Sequence, residues 1–343
     1  MSPHATGPAQ TGSPVAVLGA GSWGTALAIQ FARSGKPTRL WGRDPGQMAD
    51  MARARANTRY LPNATFPDSL SVCSDLATAL AGTRDVLLVV PSHAFRGMLR
   101  EIKPLLAPDM RLAGATKGFE AGTGLLPNQV VREELGAGRA YAVLSGPTFA
   151  SEVGAGLPTA MVVASDNEEL AARLALDLAS PTFRTYTATD IMGVEVGGAV
   201  KNVLALAAGF SDGMGFGANT RVALITRGLT EMTRLGEALG ARRDTFMGLA
   251  GLGDLVLTCT DDHSRNRRFG LLLAQGRSLE EARAEIGQVV EGARAAQCVH
   301  DVAARLGVEM PLCESVYKVL HKGVSPDAVM RALMKRPLKA EAE

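Results

Sequence analysis

The sequence predicts an α/β fold, a doubly wound and mostly parallel sheet over residues 14–189 followed by an all-α C-terminal domain over residues 190–336. Short apolar runs bounded by turn residues alternate with helix-type segments through the first part. That is the pattern of strands buried on both faces and joined by crossover helices. Helix-type spacing dominates the second part. The 343 residues also exceed what one hydrophobic core serves, and 46% hydrophobic with 20% charged residues can fill two.

Residues 15–18 are apolar and closed by glycine, as a buried first strand would be. Residues 24–32 (GTALAIQFA) read as a helix ending before Ser34-Gly35-Lys36-Pro37, and residues 38–41 as a second strand. Further strands fall at 85–90, 111–115, 140–144 and 159–164, with helices near 74–81, 94–106 and 125–135. Beyond residue 190, helices are expected at 191–208, 221–239, 268–275, 279–286, 292–306 and 311–320. Pro311 suits a first helical turn. Residues 1–13, rich in Pro, Gly, Ser and Thr, and residues 337–343 read as flexible termini.

Net charge is +2 with no long basic run, whereas a nucleic-acid or anionic-membrane partner leaves a larger footprint. Cys73, Cys259, Cys298 and Cys313 show no metal-ligand spacing, so no metal is expected and the thiols read as reduced in a cytoplasmic protein. The leader lacks an apolar core flanked by basic residues, unlike a signal peptide. No uninterrupted apolar stretch reaches membrane-spanning length.

Gly19-Ala20-Gly21-Ser22-Trp23-Gly24 has the spacing of a dinucleotide-binding turn. Alone, that spacing is weak in a chain with 38 glycines; its place between the first strand and the first helix gives it meaning. Gly19 permits the turn, Gly21 lets backbone approach a pyrophosphate, and Gly24 lets the helix pack on the strand. Ser22 and Trp23 complete the candidate contacts, at a helix N-terminus that offers free N–H groups.

The second strand ends at Trp41-Gly42-Arg43-Asp44. An acidic residue at the strand end would accept from the ribose of NAD, but Gly42 stands there, and Arg43 can pair with the 2′-phosphate of NADP. A solvated arginine is the plain alternative, and Asp44 is the ribose acceptor if the strand runs two residues longer. NADPH is expected to be preferred, with NADH also accepted.

VLGAGSWGTALA, VVPSHAF, ATKGFE, SGPTFA, GGAVKN, GLGDLVLTCTDDHSRNRRFG and QVVEG follow one another between residues 15 and 320. In these motifs and their order the sequence resembles the NAD(P)-dependent glycerol-3-phosphate dehydrogenases. The resemblance implies a Rossmann-type N-terminal domain and a helical substrate domain. It also implies a cytosolic enzyme interconverting glycerol 3-phosphate and dihydroxyacetone phosphate for phospholipid synthesis.

Gly197-Gly198-Ala199-Val200-Lys201-Asn202 falls on the first helix of the second domain. Glycines inside a helix cost roughly 1 kcal/mol each against alanine, so a close approach of cofactor or substrate beside Lys201 is expected to justify them. Oxidising a secondary alcohol needs a base, and a lysine serves where burial or neighbouring cations lower its pKa. The resemblance makes Lys201 that proton acceptor and a substrate contact; a solvated helix face is the alternative. Asn202 would hold a substrate oxygen.

The resemblance further implies that Lys117 touches both cofactor and substrate and Ala150 the cofactor, while Gly146 and Thr148 can present backbone and hydroxyl groups to substrate; a loop lysine in solvent and a plain Gly-Pro turn are the alternatives. In the polar segment 254–268, Asp254, Ser264, Arg265 and Asn266 match substrate positions, and Arg265 also cofactor contacts. Val289 and Glu291 match late cofactor contacts, although a helix-start glutamate explains Glu291 nearly as well. His93 follows the third strand without an assigned role, and Arg267 and Arg268 read as surface charge. Two other readings keep the fold: a hydroxy-acid dehydrogenase with Arg265 on a carboxylate, and a dinucleotide sensor without activity. A homodimer is one expected assembly of the helical domain.

Overall fold

Strand β1 (Val15–Leu18) passes through helix α1 (Ser22–Arg33) into β2 (Thr38–Trp41), and the alternation continues along the chain. It runs through α2 (Pro45–Ala54), a hairpin of β3 (Ala56–Asn57) and β4 (Leu61–Thr65), β5 (Leu70–Cys73), α3 (Leu76–Leu80) and β6 (Asp85–Leu88). Next come α4 (Ser92–Ile102), β7 (Arg111–Gly114), α5 (Pro127–Leu135), β8 (Tyr141–Ser145), α6 (Ala150–Ala155), β9 (Thr159–Ala164), α7 (Glu168–Leu178) and β10 (Phe183–Ala188). The structure is a computed structural model that describes residues 12–335; residues 1–11 of the expected flexible leader, all of the expected flexible C-terminus 337–343, and residue 336 lie outside the described residues.

Eight strands form one sheet in the order β10-β9-β8-β7-β6-β1-β2-β5. The pairs β1–β2, β1–β6, β2–β5, β6–β7, β7–β8 and β9–β10 are parallel. Strand order reverses at β1, whose neighbours are β2 and β6. Ligands of open α/β sheets bind at the carboxyl ends of strands at such a reversal.

Strands β5 and β10, the β3–β4 hairpin and helices α2, α6 and α7 were not anticipated from sequence. The edge strand β10 (FRTYTA) alternates polar residues and is half-exposed, so it lacks the apolar run that marks its neighbours. Helix α2 begins at a proline behind the cap of Asp44, a signal hidden among turn residues.

The chain divides into two compact units. The first runs to Thr116 and includes Asn128–Leu144 and Thr148–Thr189; the second holds Lys117–Pro127, Ser145–Pro147 and the chain from Asp190. The second unit thus begins at Asp190 apart from two short segments that join it from earlier in the chain. Lys117–Pro127 joins the helices because Phe119 and Leu126 bury their side chains in the helical core.

The second unit is built around α8 (Ile191–Gly213), buried along almost its whole length. By length and composition α8 could cross a membrane, but 94% of its apolar window lies inside the protein. A helix apolar all round is a core helix when other helices cover it. Here those are α9 (Ala218–Ala238), α10 (Arg243–Phe246), α11 (Asp254–Thr260), α12 (Arg265–Ala274), α13 (Leu279–Ile286), α14 (Glu291–Leu306), α15 (Pro311–Lys322) and α16 (Pro326–Met334). Helix α12 packs with backbone contact: a Cβ on Gly209 would lie 2.0 Å from the Arg267 carbonyl oxygen, and one on Gly270 2.3 Å from that of Leu206.

Candidate active site

In the first unit, β1 ends in the glycine turn. Gly19 has φ +128°, and a Cβ there would lie 2.3 Å from the Val89 carbonyl oxygen. A Cβ on Gly24 would overlap the carbonyl of Gly19. Gly21 differs, for a Cβ there would meet nothing within 4 Å. Open space beside its backbone is what a pyrophosphate requires. Ser22 and Trp23 open α1, whose first turn has neither a side-chain cap nor an acidic residue, so its N–H groups and positive end remain available to an anion. These residues fit a dinucleotide.

Strand β2 stops at Trp41, so Gly42 does follow the strand end. Asp44 is not a strand-end acceptor: its Oδ1 accepts from the N–H groups of Gly46 and Gln47 at 2.9 and 3.1 Å and caps α2. Arg43 is exposed. His93 is exposed on the first turn of α4. Thr148 and Ala150 also belong to the first unit, Ala150 as the first residue of α6.

The second unit brings Lys117, Lys201 and Asp254 into direct contact. Lys201, from the middle of α8, donates to Asp254 Oδ1 at 2.5 Å, and Lys117 donates to Asp254 Oδ2 at 2.7 Å. Asp254 opens α11 after one π-helical turn, Leu249–Gly253. Such turns are rare and gather at functional sites. Gly197 is explained by this turn rather than by a ligand, since a Cβ there would lie 2.4 Å from the Ala250 carbonyl oxygen. Gly198 faces the stem of Lys117 and the hydroxyl of Ser145.

Thr258, one helical turn after Asp254, completes the arrangement. Its hydroxyl donates to the Asp254 backbone carbonyl at 2.6 Å, so it can only accept from Lys201 Nζ, at 3.0 Å. A neutral amine has two N–H bonds and one lone pair. With its hydrogens directed at Asp254 and Thr258, the lone pair is left for an incoming hydroxyl.

Burial pushes the Lys201 amine down to about 8, and Lys117 pushes the same way, while Asp254 opposes them. Burial alone would raise the Asp254 carboxyl, but the ammonium groups of Lys117 and Lys201 outweigh it and hold the carboxyl below its usual range. The cluster thus keeps a permanent anion beside an amine that titrates near neutrality.

Around this centre, Asn202 Oδ1 accepts from Asn266 Nδ2 at 2.9 Å, and Asn266 Oδ1 accepts from Gly292 N–H at 2.9 Å. That chain ties α8, α12 and the start of α14 together. Ser264 caps α12, its hydroxyl accepting from Arg267 N–H at 3.2 Å. Arg265 is partly exposed and donates to Gln288 Oε1 at 3.1 Å, next to the exposed Val289 and three residues before the start of α14 at Glu291. Gly146 follows β8 at φ +153°.

Arg267 is not surface charge. It is buried, with Nε on Asp212 at 2.7 Å and Nη1 on Asp262, because α12 packs directly on α8. Arg268 is exposed. Thr258 and Gln288 were missed from sequence; the signals were a hydroxyl four residues after Asp254 and a polar residue opening QVVEG. The hydroxyl of Ser145 was also missed: it is buried with no partner among the described residues.

A parallel sheet with a glycine turn at its reversal point, together with helices that bury an amine titrating near neutral pH, defines a dinucleotide-dependent dehydrogenase. Family models described as the N-terminus and the C-terminus of NAD-dependent glycerol-3-phosphate dehydrogenase match residues 14–171 and 190–331. The chain belongs to that family.

A glycerol-3-phosphate dehydrogenase [NAD(P)+] of Pasteurella multocida is 55% identical, covering 96% of this chain and 98% of the relative. One of Aeromonas hydrophila is 56% identical, covering 95% and 98%. The crystal structure of glycerol-3-phosphate dehydrogenase from Coxiella burnetii superposes with a TM-score of 0.92 at 47% identity, over 94% of this chain and 99% of that one.

Proposed function

We propose that Lys201 moves the proton in this chain's reaction, the NAD(P)-linked interconversion of sn-glycerol 3-phosphate and dihydroxyacetone phosphate. The bound nicotinamide supplies the hydride acceptor or donor. In oxidation, neutral Lys201 takes the C2 hydroxyl proton as the C–H electron pair leaves C2. In reduction, the ammonium returns a proton to that oxygen. The observation that carries this is the buried amine lowered to about 8, with Asp254 and Thr258 holding its hydrogens.

Lys117, Asn202 and Asp254 surround that amine or lie next to it, and are assigned to the substrate oxygens, with Gly146 and Thr148. Ser264, Arg265 and Asn266 are assigned to the phosphoryl group, where a forked cation and neutral donors are wanted. Gly19, Gly21, Ser22, Trp23, Gly24, Lys117, Ala150, Arg265, Val289 and Glu291 are assigned to the dinucleotide. Four unbridged cysteines support a reducing, cytoplasmic setting, with glycerol 3-phosphate supplied to phospholipid synthesis. A homodimer is the assembly this reading expects of the helical unit.

NADPH oxidation is expected with dihydroxyacetone phosphate at a kcat/KM at least about 100-fold above that with small 2-keto acids. Comparable turnover of keto acids would favour the hydroxy-acid reading, and coenzyme binding without any turnover the sensor reading. Arg43, exposed directly after Gly42, supports preference for NADPH. Arg43→Ala is expected to lower kcat/KM for NADPH about tenfold and leave NADH unaffected, a charge-assisted phosphate contact being worth that much. An unchanged NADPH/NADH ratio in steady-state assays would remove Arg43 from the site.

A further inference from the structure

The β3–β4 hairpin reaches the glycine turn through the side chain of Asn57. It is fully buried, and every hydrogen-bonding group of its amide is engaged within the first unit. Its Nδ2 donates to the Ala20 carbonyl at 3.1 Å and to the Thr25 hydroxyl at 2.8 Å, while its Oδ1 accepts from Tyr60 N–H at 3.2 Å. Gln47 Nε2 lies 3.5 Å from the same Ala20 oxygen, a weaker second donor. The hairpin is itself firmly held: the Arg55 guanidinium donates to the carbonyls of Phe66, Pro67 and Leu70.

Ala20 is the residue between the first two glycines of the turn. Among the described residues no peptide bond is cis, so the Ala20 carbonyl and the Gly21 N–H point in opposite directions from one planar unit. Anchoring the carbonyl on Asn57 therefore aims the Gly21 N–H away from Asn57, and a Cβ on Gly21 would meet nothing within 4 Å. A glycine turn is otherwise free to rotate this peptide, because Gly21 tolerates most backbone angles. A loop that must order itself on binding loses affinity to that ordering.

Given the dinucleotide seat proposed above, we infer that Asn57 is a positioning residue for the coenzyme. It presets the peptide that donates to the pyrophosphate without touching the ligand. Its effect falls on coenzyme affinity and not on the proton-transfer step, and it is equal for NADPH and NADH, which share the pyrophosphate.

The test is coenzyme titration of the intact enzyme by calorimetry, paired with kcat at saturating coenzyme. Asn57→Ala is expected to raise Kd for both NADPH and NADH about tenfold, with kcat within about twofold of the parent. Asn57→Asp, which keeps the shape but places an acceptor against the Ala20 oxygen, is expected to do the same. Thr25→Val deletes the other bond of the same amide and leaves the Ala20 bond, so its coenzyme Kd is expected to stay within about twofold. Melting temperatures with and without NADPH give a second readout: the coenzyme-induced rise shrinks in both Asn57 variants and persists in Thr25→Val.

Unchanged Kd in both Asn57 variants overturns the inference, and so does a Thr25→Val variant that weakens coenzyme as much as Asn57→Ala. Gly21→Val separates this from the seat itself, because a Cβ there meets nothing within 4 Å in the free protein but would take the space of a pyrophosphate seated against that backbone. Normal coenzyme binding in Gly21→Val overturns the seat and the inference together. Weakened binding in Gly21→Val beside normal binding in Asn57→Ala overturns the role of Asn57 alone.

Discussion

Lys201→Ala is expected to lower kcat by about 10³-fold or more in both directions, the upper range for losing a positioned acid–base group. NADPH binding, measured by fluorescence titration, is expected to persist, since the glycine turn belongs to the other unit. Two further features make the loss large. Thr258 and Asp254 direct the hydrogens of this amine, so its removal takes away a positioned lone pair. The other amine nearby, Lys117, is already held by the second oxygen of Asp254. Turnover retained within tenfold of the parent would show that another group moves the proton.

The second large effect is expected from Asp254→Asn. Asp254 is 1% exposed and is the counter-charge of two ammonium groups at once. Removing it leaves buried cations without compensation, a change that costs about 3 kcal/mol or more where one partner of a buried pair is lost. Part of that cost is avoided if Lys201 gives up its proton, because Asp254 is what opposes burial in setting that amine. The variant is therefore expected to unfold at lower urea concentration. It is also expected to lose dihydroxyacetone phosphate reduction at pH 7 by about 100-fold, for want of an acid. Urea melts and initial rates on one preparation check both; a parent-like midpoint with parent-like reduction would remove Asp254 from the centre.

Much of this was open to reading in the sequence where the signal is local. The short apolar run, the glycine spacing and GTALAIQFA lie next to one another, so the first strand, turn and helix emerge together. Lys201 stood out because two glycines and an apolar run made an ordinary solvated lysine improbable there.

What sequence hid is non-local. Lys117 and Lys201 reach Asp254 across 137 and 53 residues, and no spacing rule connects them. Gly197 was expected to make room for a ligand, yet it admits the turn before Asp254; both duties need a missing Cβ, and only packing tells them apart. The hairpin carrying Asn57 escaped notice because its two strands are short and polar. Arg267 and Arg268 look alike in sequence, but α12 turns the first inward onto Asp212 and leaves the second in solvent.

The pH dependence of kcat/KM, taken for both directions on the same enzyme, bears most directly on the role of Lys201. Below about 8 the amine is protonated and serves as acid; above it the amine is neutral and serves as base. Oxidation of glycerol 3-phosphate is thus expected to rise tenfold per pH unit and level off above about 8, while reduction of dihydroxyacetone phosphate levels off below that pH and falls above it. Profiles that are flat across this range, or that bend in the same direction for both reactions, would contradict proton transfer by Lys201.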